Sequence, residues 1–572
     1  MPIHNGDIAD RFDEVADLLE IEGANAFRVR AYRNAARTLR DLPQAVTGMV
    51  AEGADLTDLP GVGEDLASQI REIVATGELS RLRDLEAEVP PGLTEVLGIA
   101  GLGPKRVQAL HANLGVETLG DLEAAAKSGK IRSLSGFGEK TEANILHELA
   151  TRGSGEKRTR RRVAEEVAEP LAAYLRDVAG VEQVTVAGSY RRRKETVGDL
   201  DILATCTADS PVIARFVAYE DVRDVVSQGR TRSTVILKNG LQVDLRVLAQ
   251  ESYGAALHYF TGSKAHNIHV RKMGVEAGLK INEYGVFRDD ARIAGSTERE
   301  VYDAVGLPYI PPELREDRGE IAAAQSDGLP DLVTLDDIRG NLHSHTKASD
   351  GAKTLREMAV AARARGWSYL AITDHSKAVA VANGLDADRL AAQVEEIEAL
   401  NAELSGITLL KSIEVDILES GELDLPDDIL GRLDLCVCAV HSHFELSRDK
   451  QTERILRAMD NPNFGILAHP TGRLISTRAG CALDMERVIR HAGETGAVLE
   501  INAQPDRLDL DDVHAKMARD AGVPLSIGTD AHTDAHLDMM RYGVDQARRG
   551  WLTAADVVNT RPLAKLREAF AR

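Results

Sequence analysis

Two sets of residues carry the chemistry this sequence offers. The first is a trio of aspartates. Asp199 and Asp201 in VGDLDIL are two apart, so a strand places both carboxylates on one face, and Asp244 in LQVDLRVL lies on a second alternating stretch. Three carboxylates converging on neighbouring strands suit two hard divalent cations, Mg2+ or Mn2+. Two such ions, about 4 Å apart, activate an attacking hydroxyl and stabilise a departing pyrophosphate. Just before them, Gly188 and Ser189 offer a backbone N–H and a hydroxyl to phosphate, and Arg192 adds positive charge. An Asp-x-Asp pair alone is an ordinary surface feature. The Gly-Ser turn and the apolar flanks Leu200, Ile202 and Leu203 turn it into a candidate site.

The second set lies in the last 240 residues, where ten of the 16 histidines fall after residue 335. Short apolar runs each end in a metal-binding type: His343 and His345 with Asp350 close behind, His375, Glu414, His441, His469, then Asp530 with His532. Six imidazoles and three carboxylates suffice for up to three metals with positions left open for water and substrate. Mixed nitrogen and oxygen donors favour Mn2+, Zn2+ or Fe2+. Such a cluster lowers the pKa of a bound water and clamps a phosphate, so metal-assisted phosphoester hydrolysis is its natural reaction class. His443, Asp374 and Arg473 lie beside these motifs and are weaker candidates for supporting a ligand or binding phosphate. His258, His266 and His269 are expected at a surface or on a nucleic-acid side rather than as ligands.

These side chains need elements to hold them. Residues 7–150 show apolar positions three and four apart and no alternation, which predicts helices. Three segments there look alike: LPGVGEDLASQI, IAGLGPKRVQAL and LSGFGEKTEANI, each an apolar residue, a Gly-x-Gly turn and an amphipathic helix. The glycines (Gly61 and Gly63, Gly101 and Gly103, Gly136 and Gly138) allow close backbone approach, and helix N–H groups then face an anion. Contacts of this kind grip a nucleic-acid backbone without reading its sequence. A polar, basic stretch at 151–165 follows. The residues around the aspartates read as strand, turn and strand. From 306 a Pro-, Gly- and acid-rich connector leads to alternating strand and helix patterns, the signature of a parallel, barrel-like sheet with its site at the strand C-termini. The strand AVLEIN in that region ends without a histidine.

At 572 residues, roughly four domains are expected. No run approaches the roughly 18 apolar residues of a membrane span, and the N-terminus lacks a secretory pattern, so a cytoplasmic protein is expected. The four cysteines, Cys206, Cys436, Cys438 and Cys481, form no framework and fit a reducing compartment. The net charge of −22 does not exclude a nucleic-acid partner, because residues 151–320 carry 26 basic and 26 acidic side chains.

The stretches GSYRRRKETVGDLDIL, VDLRV and YFTGSKAHNIHVRKMGVEAGLKINEYGVF resemble the palm and thumb of family-X DNA polymerases, the group that includes DNA polymerase beta. The resemblance runs over about residues 10–318. It implies that Asp199, Asp201 and Asp244 hold the catalytic metals, with Asp244 near the primer 3′-hydroxyl. It places Ser189, Arg192 and Gly198 on the nucleotide triphosphate, and Tyr259, Phe260 and Gly262 at the ribose-facing turn. Asn267 and Arg271 would meet the nascent base pair and the template, and Arg246 would adjust a catalytic aspartate. One departure concerns the lysine that animal relatives use as a Schiff-base nucleophile: the two lysine positions in the first hairpin helix hold Asp65 and Gln69, so that lyase activity is expected to be absent or weak. Residues 336–572 resemble a PHP (polymerase and histidinol phosphatase) domain, with all nine ligand positions filled and Glu414 as the bridging carboxylate.

Together these imply a multidomain chain: an N-terminal all-α helix-hairpin-helix domain over 1–85, a second helical DNA-binding region over 86–165, an α+β palm over 166–250, a thumb over 251–320, a linker over 321–335 and a distorted β/α barrel over 336–572. The order of parts resembles bacterial family-X polymerases fused to a 3′–5′ exonuclease. The expected activities are gap-filling DNA synthesis in base-excision or break repair, and 3′-end trimming, 3′-phosphate removal or nicking at abasic sites. Gapped or nicked DNA and deoxynucleoside triphosphates are the expected partners of a monomer. Two alternatives stand beside this: a small-molecule phosphoesterase tethered to DNA, and a non-catalytic DNA-end scaffold.

Overall fold

A computed structural model describes residues 5–571, apart from 23, 43–45, 52, 91, 98, 100, 101, 103, 135, 136, 139, 140, 143, 144, 147, 148, 150–157 and 327. The chain forms two compact units, Met1–Lys157 and Arg158–Arg572. Among the described residues no helix is long and apolar enough to cross a membrane.

The first unit is helical throughout its described residues, as its apolar periodicity predicts. Helices Asn5–Ile21 and Ala26–Asp41 pack their stripes (Ile8, Phe12, Val15, Leu19 against Val29, Tyr32, Ala36, Leu39) into one core with Leu66, Ile70 and Ile73 of helix Glu64–Thr76. Gly63 precedes that helix with no side chain capping its first N–H groups, while Glu64 and Asp65 occupy the first turn. Gly138 is described but Gly101, Gly103 and Gly136 lie outside the described residues, as do 151–157 of the basic stretch. Gln69 accepts a hydrogen bond from the Tyr32 hydroxyl at 2.9 Å.

The second unit opens with a five-stranded sheet in the order Val181–Val186, Asp199–Cys206, Gln242–Leu248, Arg232–Leu237, Val222–Gln228. Only the central pair, Asp199–Cys206 with Gln242–Leu248, is parallel. Period-2 alternation divides the duties of the first of these strands. Leu200, Ile202 and Ala204 pack with Ala164, Leu171 and Leu175 of helix Arg161–Arg176, whereas Leu203, on the aspartates' face, packs with Tyr253, Ala256 and Leu257 of helix Tyr253–Thr261. Each fully buried leucine contributes about 1.5–3 kcal/mol, which is what fixes the register and therefore the side on which the carboxylates emerge. Helix Lys264–Glu276, a three-stranded antiparallel sheet and helix Glu298–Asp303 follow around Val270, Ile281, Val286, Val301 and Tyr302.

The stretch expected only as a connector is folded. Leu307, Ile310, Leu314, Ile321 and Leu332 are buried in the same cluster, together with Trp551 from near the C-terminus. Its charges misled the composition argument because they are satisfied internally: the fully buried Arg315 donates to Glu298 Oε1 (2.5 Å) and to the Ile310 carbonyl (2.8 Å). His258 and His266 correct the expectation of surface positions. They are 2% and 0% exposed, and His266 sits between Glu320 (2.6 Å) and the Tyr302 hydroxyl (2.8 Å). Helical packing of the thumb encloses both rings, and only His269 remains exposed, bonded to Asp317.

The C-terminal part is a parallel barrel in two sheets, Gly340–Asn341, Tyr369–Ile372 and Thr408–Lys411 in one, Glu414–Asp416, Val437–Ala439, Ile466–Leu467, Val498–Asn502 and Leu525–Gly528 in the other. Parallel bridges His375–Glu414 and Ser344–Ala531 close it, and both bridges involve or adjoin predicted ligands. Tyr369, Ala371, Val437, Ala439 and Val498 fill the interior, while Leu370, Ile372, Cys438, Leu499 and Ile501 meet the surrounding helices.

Candidate active sites

In the palm, pairing of the two central strands sets Asp201 directly opposite Asp244. Asp244 is held hard. Thr234 Oγ1 donates to its Oδ1 at 2.6 Å, Arg232 adds a contact at 3.2 Å, and Gln242 Nε2 donates to Oδ2 at 2.9 Å. Burial, then the charges of Asp199 and Asp244, push Asp201 up to about 6. That surplus of negative charge is the condition a divalent cation relieves, so the trio fits the ions its donor set implies.

Around the trio lie the residues implied in nucleotide binding. Gly188 has φ +65°, and a Cβ there would come within 3.2 Å of Asp201 Oδ2, so only glycine lets the Gly188–Arg191 turn sit this close to the carboxylate. Ser189 follows in the same turn, and Gly198 is exposed beside Asp199. Arg192 Nη1 donates to the Thr261 carbonyl at 2.6 Å, and Gly262, with φ +67°, leaves the space that its guanidinium fills. Tyr259 and Phe260 pack edge to face at 5.1 Å, and the Arg246 guanidinium lies 4.3 Å from the Phe260 ring centroid. Asn267 donates to the Tyr259 carbonyl at 2.7 Å while its own side-chain oxygen is buried without a partner. Arg271 is exposed on helix Lys264–Glu276.

In the barrel all nine predicted ligands meet. Four groups have ligand atoms within 4.8 Å of one another: His345, Asp350, His375 and His532; His343, His469 and Asp530; His343, His345 and Glu414; His375, Glu414 and His441. Glu414 is the hub. His375 Nδ1 lies 3.0 Å, His441 Nε2 3.2 Å and His469 Nε2 2.9 Å from its oxygens. Burial would raise the Glu414 carboxyl, but the surrounding imidazoles outweigh it and hold it well below the usual range. Asp350 is likewise held down to about 2, with His532 and His345 outweighing burial. Buried nitrogens of these ligands, among them His343 Nε2 and His345 Nδ1, make no hydrogen bond. Orphaned donors and acceptors of this kind cost several kcal/mol unless cations take them, so the cluster fits bound metal.

The supporting residues were not singled out from the sequence. Glu500 on the strand that ends without a histidine accepts from His343 Nδ1 at 2.7 Å and from the His469 backbone N–H at 2.8 Å. Asp416 holds His441 Nδ1 at 2.9 Å, and Asn502 donates to Asp530 at 3.1 Å. Alternation was the available signal, because Glu500 and Asn502 share a face with the inward Val498. Asp374 stands outside the four groups; it accepts from Thr346, Ser349 and Gln393 and so braces the loop after His345. His443 is half exposed with Glu419 nearby and stands outside the four groups. Arg473 reaches Glu195 of the palm (2.5 Å) and donates to the Arg507 and Leu508 carbonyls, because its strand-end loop abuts the other half of the unit.

Comparison with known proteins adds to this geometry. Family descriptions match in series: a helix-hairpin-helix domain over 3–79, a SAM-like helix-hairpin-helix tandem over 93–151, the DNA polymerase beta palm over 158–255, the DNA polymerase beta thumb over 256–316 and the PHP domain over 341–471. A probable phosphatase of Thermoanaerobacter sp. (strain X514) is 30% identical over 237 residues, 40% of this chain and 91% of its own. DNA polymerase lambda of Arabidopsis thaliana is 25% identical over 354 residues, 55% of this chain and 62% of its own. The DNA polymerase/3′-5′ exonuclease PolX of Bacillus subtilis (strain 168) is 39% identical over 574 residues, covering 100% of both chains. With a palm trio, a nine-ligand barrel and full-length similarity in one order, the chain belongs to the PolX family of DNA polymerases joined to a PHP domain.

Proposed function

We propose that this protein fills short gaps in nicked or gapped DNA during base-excision or break repair, and trims or unblocks 3′ ends with its second centre. One observation carries the reading: a palm in which Asp201 pairs opposite Asp244 with Asp199 two residues away, and a barrel that gathers nine histidine and carboxylate side chains into four groups, occupy one folded unit. Bound divalent cations, two Mg2+ or Mn2+ at the palm and up to three Mn2+, Zn2+ or Fe2+ in the barrel, supply the charge that makes an oxygen nucleophilic and neutralises a leaving group.

In synthesis, the primer 3′-hydroxyl attacks the α-phosphate of a deoxynucleoside triphosphate and pyrophosphate leaves. Gly188, Ser189, Arg192 and Gly198 hold the triphosphate, and Tyr259, Phe260 and Gly262 shape the ribose pocket. Asn267 and Arg271 meet the base pair and template. Thr234, Arg232 and Gln242 keep Asp244 aimed at the primer end. In hydrolysis, a water oxygen attacks the phosphorus of a terminal phosphodiester, a 3′-phosphate or a phosphodiester at an abasic site. The ester P–O bond breaks, and the departing sugar oxygen takes up the proton the water gives up, with Glu500, Asp416 and Asn502 keeping the ligands in place. The glycine hairpins grip the DNA backbone, over domains bounded at 1–85 and 86–165, with the palm at 166–250, thumb at 251–320, linker at 321–335 and PHP domain at 336–572. The protein acts as a cytoplasmic monomer.

The test is a time course on a 5′-labelled primer in a one-nucleotide gap with Mn2+, with and without deoxynucleotides. Extension lost only in Asp201→Asn, and shortening lost only in His345→Ala, supports two separate centres. Shortening that vanishes in Asp201→Asn would move hydrolysis out of the barrel.

A further inference from the structure

The two halves of the second unit meet at a buried ion network that ends on the nucleotide-binding arginine. Arg549 closes helix Met540–Arg549 in the barrel half and is 3% exposed. Its Nη1 donates to the Arg192 carbonyl at 2.7 Å and to Glu316 Oε1 at 3.0 Å, and its Nη2 donates to Asp512 at 2.5 Å. The same Glu316 oxygen accepts from Arg192 Nε at 3.0 Å. Arg318 adds a second donor to Asp512 at 2.9 Å. Burial alone would raise the Glu316 carboxyl, but Arg549, then Arg192, outweigh it and hold it down to about 2. One buried carboxylate is thus shared between an arginine of the hydrolytic half and an arginine of the synthetic half.

Sharing has an electrostatic consequence. A carboxylate paired with Arg192 alone would cancel the charge that Arg192 offers a triphosphate, and in a buried site that cancellation is strong. With Arg549 on the same oxygen, and Arg318 and Lys194 adding positive charge against Glu316 and Asp512, Glu316 is neutralised from the far side and Arg192 keeps its charge. Nη1 is meanwhile fixed on the Thr261 carbonyl, and Nη2 makes no hydrogen bond among the described residues.

We infer that Arg549 of the PHP half is a positioning residue for deoxynucleotide binding at the palm, acting through Glu316 on Arg192. The inference rests on Arg192 binding the triphosphate. Gap filling by the full-length protein is measured against deoxynucleotide concentration, with 3′ shortening of single-stranded DNA as a check on the barrel. Arg549→Met is expected to raise KM for the deoxynucleotide about tenfold while kcat changes little, the loss of one charge-assisted contact. Arg549→Lys, which keeps the charge, is expected to fall between. Adding Glu316→Gln to Arg549→Met removes the uncompensated carboxylate and is expected to return KM toward the unmodified value. A structural defect at this seam would also lower 3′ shortening, which is expected to stay at the unmodified level in every Arg549 and Glu316 variant. Unchanged KM in both Arg549 variants, or a rise that Glu316→Gln does not reverse, would overturn the inference. Arg192→Ala separates the two levels: unchanged KM there removes the role of Arg192 itself, whereas a raised KM there with normal Arg549 variants removes only the link to the barrel.

Discussion

Glu500→Gln offers a test of how the barrel holds its metals. Glu500 is 1% exposed, and both its oxygens face donors: His343 Nδ1–H on one side, the His469 backbone N–H and Asn502 Nδ2 on the other. A glutamine has a single acceptor oxygen, so either rotamer turns an NH2 group toward a donor. With the amide nitrogen toward His343, the ring must take its proton on Nε2, the atom that faces Glu414 and Asp530 at 3.5 and 3.6 Å, and that atom can no longer ligate. With the nitrogen toward His469, a buried backbone donor is orphaned, at about 1–3 kcal/mol. Loss of such a supporting carboxylate costs about 10–100-fold in metal affinity or activity, or about 1.4–2.8 kcal/mol. The assay is 3′ shortening of a labelled single strand across a Mn2+ titration. The expected result is a curve displaced to higher Mn2+ by about tenfold or more, with gap-filling extension unaltered. Superimposable curves would refute the claim that Glu500 sets the His343 tautomer.

Three further outcomes are expected. Thr234→Val removes the 2.6 Å bond to Asp244 and should slow extension about tenfold without changing 3′ shortening, as read from single-turnover rates. Glu298, accepting from Arg191 and Arg315, is held down to about 2 although burial opposes it. Its folded pKa lies below the ordinary 4.5, so the pairing stabilises the thumb above that pH by about 3 kcal/mol and the gain disappears as pH falls toward 2. Hydrogen exchange across residues 256–316, corrected for intrinsic rates, should rise over that window, and Glu298→Gln should abolish the pH dependence while loosening the thumb at neutral pH. Borohydride should trap no covalent adduct with a 5′-deoxyribose phosphate at the first hairpin helix, since Gln69 is bonded to Tyr32 and Asp65 carries no amine; an adduct mapped to a lysine would contradict this.

The sequence by itself determined the chemistry. Asp199 and Asp201 two apart on an alternating stretch could only share a face, and strand ends bearing six histidines and three carboxylates could only gather at one mouth of a parallel barrel. Short-range periodicity carries that information, because side-chain direction is fixed by the local backbone. Tertiary structure decided everything that depends on residues far apart in the chain. Glu500 and Asp416 carry no local signal of a supporting role, and it is closure of the barrel that sets them behind His343 and His441. His258 and His266 were polar by type but are enclosed by thumb packing, and Arg473 found its partner 278 positions away in Glu195. The connector after 306 looked solvated from its prolines and charges, yet Arg315 and Glu320 are buried there. Charged residues leave water only when partners already wait in the fold, and a linear pattern cannot say which distant residue will be that partner.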